Sequence, residues 1–389
     1  MKRYLTAVVF LLLGLPAGVY AQWYLFPGGR GSKDTVVVSR PAADTTLTLA
    51  PVFEEEETEE AVPVTRVALI LPLKSTETPN SNFLDFYCGV LMAANELSRP
   101  EHKYEIHVFD STVELPTMPQ LDSSDLIIGP VNFDDVVSIL PRTRGKYIIS
   151  PLDPKVAQLT DRYNIIQAPA GWEAQVDELV RWLADDLRGG DTVVLLQSDG
   201  NSDGEITQRL AQKLGEEGIV YSISSTPASY EGTAKGSCRF VIASENDSFC
   251  SSAIREIALM NLKGGKNIVY STSKLRSLSD LETESLHAAA ARITASYYAD
   301  AGAPAVRRFS ESYRKIFKGD PGQWVFQGYD LLNYFGPLLE KEPDMWKEEL
   351  AATPGKGLQT DFSFDASGQN NTAVRRLKYN ANNTITIVK

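Results

Sequence analysis

The chain has 389 residues, 43% of them hydrophobic and 23% charged, with 38 Lys and Arg against 50 Asp and Glu, a formal charge of −12. Such an acidic balance argues against a nucleic-acid binder, which must displace counterions from phosphates with cations of its own, and no helix-turn-helix signature is present. The three cysteines, Cys88, Cys238 and Cys250, are too few for a disulfide framework.

Lys2 and Arg3 precede an apolar run from Tyr4 to Leu15, then Pro16, Gly18 and the small-residue pattern Val19-Tyr20-Ala21. This order predicts a signal peptide over 1–21, cleaved after Ala21, because the apolar run is shorter than the ~20 residues of a spanning helix. Its loss removes Lys2, Arg3 and no acid, leaving 36 basic and 50 acidic residues, a charge of −14. Residues 22–64 follow, with a Pro-Gly-Gly stretch, a Thr-rich stretch and the run Glu54-Glu-Glu-Glu-Thr-Glu-Glu60. Like charges with few large apolar residues do not offset ordering entropy, so this segment is expected to be a disordered acidic tether.

From Thr65 onward short apolar strands alternate with helical patterns. Arg66–Leu73 is a strand and Phe83–Leu97 a helix; Leu126-Ile-Ile-Gly-Pro130 and Tyr147-Ile-Ile-Ser-Pro151 are strands stopped by Gly or Pro. Ile165-Ile166, Asp191–Gln197, Val220–Ser224, Phe240–Ala243, Asn267–Ser271 and Ile293–Tyr298 continue the strands. Helices are predicted over Gly171–Leu187, Ser202–Glu217, Ser251–Leu262, Ala303–Phe317 and Gln323–Leu339. Thr360–Phe364 and Val374–Val388 read as antiparallel strands with turns at Asp365–Gly368 and Asn382-Asn383. Continuous apolar strands alternating with helices imply parallel sheets covered on both faces. The 325 residues from Thr65 exceed one compact core and imply two lobes.

Other constellations carry little chemistry. Asp199-Gly-Asn201-Ser-Asp203-Gly204-Glu205 has the alternating oxygens of a calcium loop, but its twelfth position is Leu210 rather than Glu, and a strand precedes it. It reads as a strand-to-helix turn with Ser202 or Asp203 as N-cap. His102 and His107 flank one strand with opposite parity and do not share a face. No Gly-x-Ser-x-Gly elbow supplies a nucleophile, and Lys263-Gly-Gly-Lys266 is a helix-ending turn rather than a phosphate loop. Cys238 opens a strand and Cys250 starts the helix near that strand's far end, beyond the ~7 Å that a bridge spans. No metal, cofactor or catalytic residue is expected.

The order of these pieces resembles the type I periplasmic binding proteins, particularly the branch related to leucine/isoleucine/valine-binding protein. Val67–Leu73 with Gly89-Val-Leu-Met-Ala-Ala-Asn95 is similar to the family's first strand and helix. Leu126–Pro130 and Ile148–Pro151 are similar to its third and fourth strand ends. Phe309–Phe317, Pro321 and Gly328-Tyr-Asp-Leu-Leu332 resemble its late first-lobe helices, and Phe362–Gly368 its terminal hairpin. The resemblance implies an α/β fold of two doubly wound parallel-sheet lobes joined by a multi-strand hinge. Lobe 1 is expected over 65–166 and 300–355, and lobe 2 over 167–299 and 356–389. It also implies a periplasmic location.

Doubly wound sheets bind ligands at the carboxyl ends of their strands. The candidate ligand-binding residues there are Asn132, Phe133, Ser150, Leu152, Asp199, Glu245 and Thr272, expected to face one another across the cleft, with Tyr297 and Tyr298 beside the crossing. The sequence departs from the amino-acid binders of the family at these positions. Phe133 stands where a serine is usual, Leu152-Asp153-Pro154 replaces Ala-Ala-Thr, and Thr272-Ser273-Lys274 replaces an acid. A ligand with an apolar body and one polar end is therefore expected rather than a free amino acid. Two functions follow. One is a solute-binding protein that closes on a small ligand and delivers it to a membrane transporter or sensor. The other is a non-catalytic envelope scaffold or regulator, resembling activators of peptidoglycan synthesis, with a degenerate pocket.

Overall fold

The computed structural model describes residues 62–198, 204–232, 236–341 and 346–388. The expected signal peptide, nearly all of the expected tether, and Asp199 lie outside them. The first strand, β1 (Val64–Leu71), begins at the last residue of the expected tether, and Val67 through Leu71 are fully buried. Alternate side chains enter two different cores. Val67, Leu69 and Leu71 pack with the helix α1 (Ser81–Leu97), while Ala68 and Ile70 join a smaller core on the opposite face. That two-sided burial is why the strand reads as an uninterrupted apolar run.

β2 (Lys103–Asp110), β3 (Leu126–Ile128), β4 (Ile148–Ser150) and β5 (Ile165–Gln167) complete a parallel sheet in the order β2-β1-β3-β4-β5, with α2 (Phe133–Ile139) after β3. The chain then builds a second sheet. α3 (Trp172–Asp186), β6 (Thr192–Leu196), α4 (Gly204–Glu216), β7 (Tyr221–Ser224), β8 (Cys238–Ile242), α5 (Asp247–Leu262), β9 (Ile268–Thr272) and β10 (Arg292–Ala295) follow one another. The strands lie in the order β7-β6-β8-β9-β10, all parallel, which repeats the winding of the first sheet. Each sheet reverses direction once, between β1 and β3 and between β6 and β8, and such switch points open a crevice at the strand ends.

α6 (Pro304–Phe317) and α7 (Gln323–Lys341) return to the first core, where Val306, Phe309 and Tyr313 meet Phe326 and Tyr329. β11 (Gly355–Lys356) and β12 (Asp361–Phe362) pair with each other. β13 (Arg375–Tyr379) and β14 (Ile385–Val388) form an antiparallel hairpin on the edge of β10. The protein is thus an α/β molecule of two doubly wound sheets joined by three crossings, through 168–171, 296–303 and 363–374. The tail divides between the cores: Phe362 and Phe364 bury in the first, stacked on Tyr334, whereas Leu377 and Tyr379 bury in the second. Assigning all of 356–389 to one lobe overlooks these two phenylalanines. The three short helices Met118–Asp122, Thr283–Ala288 and Trp346–Ala352 carry no periodic signal of their own in the sequence. Cys88, Cys238 and Cys250 are free thiols, and Cys238 and Cys250 are buried.

The closest approach in the first lobe is between α1 and α7. A Cβ on Gly89 would lie 2.0 Å from the Val325 carbonyl oxygen, and one on Gly328 would lie 2.1 Å from that of Phe86. Both contacts are to backbone, which has no rotamer with which to yield. Gly89→Ala is expected to push the helices apart and cost about 1–3 kcal/mol, read as a lower urea midpoint at unchanged slope.

Candidate functional site

The strand ends of the first sheet are shaped by backbone constraint before side chains enter. Gly129 follows β3 with φ +91°, and a Cβ there would lie 2.2 Å from the carbonyl oxygen of Ile70 on β1. Only glycine satisfies both demands. The next residues start α2 with Asn132 as its N-cap; Asn132 is exposed and its amide donates to Asp135 Oδ2 over 3.3 Å. Phe133 is half-buried against the smaller first-lobe core, and its backbone N–H donates to Asp153 Oδ2 at 3.1 Å. Asp153 also accepts from the Lys155 N–H at 3.0 Å, so one carboxylate ties the loop after β3 to the loop after β4. Leu152, between them, is half-buried against the main first-lobe core.

Ser150 closes β4. It is fully buried and its hydroxyl has no hydrogen-bond partner. Its register partner on β5 is Gln167, 2% exposed, and neither Gln167 amide atom has a partner. In adjacent parallel strands, register partners share a face, so three unsatisfied polar atoms sit together under the strand ends. Each such atom costs about 1–3 kcal/mol relative to a satisfied one. Gln167 is a candidate that the sequence reading overlooks. Its only signal is an amide directly after two isoleucines of a buried strand.

On the second sheet Thr272 ends β9 and is buried, and the following Ser273 N–H donates to Gln175 Oε1 at 3.1 Å. Glu245, past the end of β8, is exposed and pairs with Lys274 at 3.1 Å; Lys274 also meets Asp247 at 3.2 Å. Burial works against the Lys274 charge, yet the hydrogen bonds to Glu245 and Asp247 outweigh it and hold its pKa above the ordinary lysine value. Glu245 is therefore matched by a cation of the protein itself. Tyr298 is half-buried against the second-lobe core under the Arg276 guanidinium, 5.1 Å from its ring, while Tyr297 is 41% exposed. The structure thus gathers Asn132, Phe133, Ser150 and Leu152 at the ends of β3 and β4, and Glu245 and Thr272 at those of β8 and β9.

Between these groups run the three crossings, interlocked by buried polar side chains. Asn371 on the third donates to the Ala168 carbonyl on the first at 2.7 Å. Gln175 donates to Ser296 at 3.0 Å, and Ser296 in turn donates to the Ala170 carbonyl at 2.6 Å, joining the first and second. Arg375 donates to the carbonyls of Tyr298, Leu358 and Gly357 and forms a bidentate pair with Asp361 at 2.6 and 3.1 Å. Above them Asp330, on α7 and 1% exposed, accepts the N–H groups of Leu358, Gln359 and Thr360 at 2.7, 2.8 and 2.9 Å. Burial pushes its pKa up to about 6, opposed by those three N–H groups and by Arg375.

Two surface cavities lie elsewhere. One of about 440 Å³ is lined by Glu348, Ala351 and Ala366 to Gly368. One of about 240 Å³, between Thr143, Lys146, Arg162 and Asn164, opens beside residues that precede β4 and β5, at the ends opposite the crevice.

No family model and no curated protein matches the sequence. Solved structures do. A putative branched-chain amino acid ABC transporter protein from Rhodospirillum rubrum superposes with a TM-score of 0.63 at 13% identity, over 84% of this chain and 100% of that one. A substrate-binding protein from Desulfitobacterium hafniense in complex with Leu gives 0.51 at 13% identity, over 84% and 100%. The C-domain of LpoA from Haemophilus influenzae, a regulator of PBP1A, gives 0.51 at 12% identity, over 84% and 100%. The protein has the type I periplasmic binding protein fold. Within that fold, the Gly-Tyr-Asp step of α7 supplies the carboxylate that fastens the loop 357–360, between β11 and β12, to the first lobe beside the crossings.

Asp330 makes this loop pH-sensitive. With its folded pKa raised to about 6, above the unfolded value near 3.9, the folded state holds its proton more tightly. Its contribution is complete below about pH 4 and is lost as pH rises through 6, a span worth on the order of 3 kcal/mol. Asp330→Asn would remove that slope from urea midpoints measured between pH 4 and 7. It would also lower stability by about 1–3 kcal/mol at pH 4, because an amide cannot accept all three N–H groups. An unchanged slope would refute the assignment.

Proposed function

We propose that the protein is an exported, periplasmic, non-catalytic binding module that closes two lobes on a small ligand and presents it to a membrane transporter or sensor. The observation that carries this reading is the buried pair Ser150 and Gln167, whose side-chain polar atoms lack partners beneath the strand ends where doubly wound sheets take ligands. The ligand-facing set is Asn132, Phe133, Ser150, Leu152, Asp199, Glu245 and Thr272, extended by Gln167. Because Lys274 is shared between Glu245 and Asp247, an ammonium group would have to compete with a cation of the protein for either acid. With Phe133 and Leu152 as the first-lobe wall, a ligand with an apolar body and one neutral polar end fits best. The lobes are taken as 65–166 with 300–355, and 167–299 with 356–389, the stretch around Phe362 and Phe364 being shared with the first core.

A specific observation favours the second reading, a scaffold or regulator acting on an envelope protein. The N–H groups of Phe133 and Ser273, at the positions where a ligand carboxylate would be clamped, are already taken by Asp153 and Gln175. LpoA, a regulator of PBP1A, has the same fold.

A ligand-library thermal-shift screen on residues 65–389 distinguishes the two. A cognate ligand at about 100 times its Kd should stabilise the protein by ~2.7 kcal/mol, and Ser150→Ala with Gln167→Leu should weaken that ligand at least tenfold. Glu245→Gln should leave affinity for a neutral ligand nearly unchanged. Micromolar binding of leucine would overturn the ligand class. A screen without stabilisation, joined with retention of a peptidoglycan synthase on the immobilised protein, would decide for the regulator.

A further inference from the structure

Among the described residues, four buried side-chain polar atoms lack a hydrogen-bond partner, and three of them belong to Ser150 and Gln167. The fourth, Ser111 Oγ, lies just past the edge strand β2. Ile148 and Ile165, two residues earlier on β4 and β5, pack in the smaller first-lobe core, whereas Ile149 and Ile166 pack in the main one. Alternation therefore puts Ser150 and Gln167 together on the face of the smaller core, against which Phe133 also packs.

The polar groups beside the pair are committed elsewhere. The Gln167 backbone is held by the third crossing, its N–H donating to the Gln369 carbonyl at 2.7 Å and its carbonyl accepting the Asn371 N–H at 3.1 Å. Gln369 Nε2 donates to the carbonyls of Thr160, Tyr163 and Ile165 at 2.7, 2.9 and 2.9 Å. Asn371 Nδ2 donates to those of Ala168 and Asp361 at 2.7 and 2.8 Å. Its Oδ1 accepts the N–H groups of Ser363 and Ala373 at 3.0 and 2.9 Å. Nor does the pair satisfy itself. An amide presents an acceptor and a donor side by side, and one hydroxyl serves only one of them in good geometry.

We propose, resting on the small-ligand reading above, that Gln167 selects the polar end of the ligand, and that this end is an uncharged amide bearing an N–H, a carboxamide or a lactam. Such a group sets its N–H against Gln167 Oε1 and its carbonyl oxygen against Gln167 Nε2, and the Ser150 hydroxyl donates to the same carbonyl. A carboxylate supplies acceptors only and sets one oxygen against Oε1. An ammonium supplies donors only and leaves Nε2 unmet, and an alcohol reaches one of the two atoms. In a buried site each such mismatch leaves a polar group unpaired, which is what makes recognition of this kind selective. Phe133, on the same face, receives the apolar body. Both members of the pair are buried, so entry requires movement of the loops after β3 and β4, which the Asp153 carboxylate ties together.

Ligand-observed NMR titration of the protein tests this with probes that differ only in their polar end. One series is hexanamide, hexanoate, hexylamine and hexanol, and the other benzamide, benzoate, benzylamine and benzyl alcohol. In at least one series the amide should bind about tenfold or more tighter than its three analogues. N,N-dimethylhexanamide and N,N-dimethylbenzamide keep the carbonyl but lack the N–H, and should lose that advantage on the unaltered protein. Gln167→Met keeps the length and apolar stem of the side chain, and should level the series while circular dichroism stays unchanged. A carboxylate, amine or alcohol that binds as tightly as its amide would overturn the assignment of the polar end and leave the small-ligand reading standing. Undiminished binding of the dimethylated amides would do the same. Binding of none of the probes would also overturn the amide assignment, and the ligand-library screen then decides separately whether the small-ligand reading survives.

Discussion

A single buried carboxylate organises the junction between the two sheets. Asp330 sits on the face of α7 turned towards the tail, and three successive N–H groups of residues 358–360 converge on its two oxygens. Those groups belong to a loop that has no sheet partner of its own, and buried N–H groups must find acceptors. Once the loop is fixed, its carbonyls at Gly357 and Leu358 receive Arg375, and that of Gln359 receives the Tyr298 N–H at 2.8 Å. Two of the three crossings thus take their position from one side chain of the first lobe. The low polarity that raises the Asp330 pKa is the same condition that makes each of these bonds directional and costly to break.

Self-pairing of polar groups limits what the strand ends can recognise. A zwitterionic amino acid needs donors for its carboxylate and an acid for its ammonium. Here Asp153 and Gln175 consume two of the N–H groups, and Lys274 pairs with both Glu245 and Asp247. Pairing inside the free protein raises the cost of binding, because a ligand must displace these bonds before making its own. Ser150 and Gln167 are the contrasting case, since no bond has to be broken to engage them.

Much of the fold was legible in the sequence because parallel strands covered on both faces leave uninterrupted apolar runs. Arg66–Leu73, Leu126–Ile128 and Ile148–Ser150 each announce themselves by β-branched residues and a Gly or Pro stop, and the observed strands agree within two residues at most ends. The crossings were much harder to read. Their bonds join residues far apart in the chain, such as Gln175 with Ser296 and Asn371 with Ala168, and periodicity carries no signal for such pairs. Asp330 stood within a helix whose neighbours are apolar, and a lone acid in that setting marks a buried acceptor without revealing its donors. The candidate site is read from the sequence only as a set of strand ends, and which donors there are already paired depends on loop geometry. The Glu245–Lys274 pair, for instance, spans twenty-nine residues.

The junction and the strand ends are not independent. The side-chain amide of Gln327, one turn before Asp330 on α7, donates to the Pro151 carbonyl at 3.2 Å, and its Oε1 accepts from Thr360 Oγ1 at 2.9 Å and Gln359 Nε2 at 3.1 Å. Pro151 lies between Ser150 and Leu152. The loop at the carboxyl end of β4 is therefore two hydrogen bonds away from the loop that Asp330 holds. Under the proposed ligand set, contact at Ser150 would act on a segment whose backbone is tied to the junction, and any rearrangement there must change the Gln327 bonds. Coupling of this kind requires that the ligand contact differ between lobe arrangements, because equal affinity for two states shifts neither. The buried, unpartnered Ser150–Gln167 pair has room to gain such a contact, whereas Glu245, exposed and already paired, has little to gain from one arrangement over another.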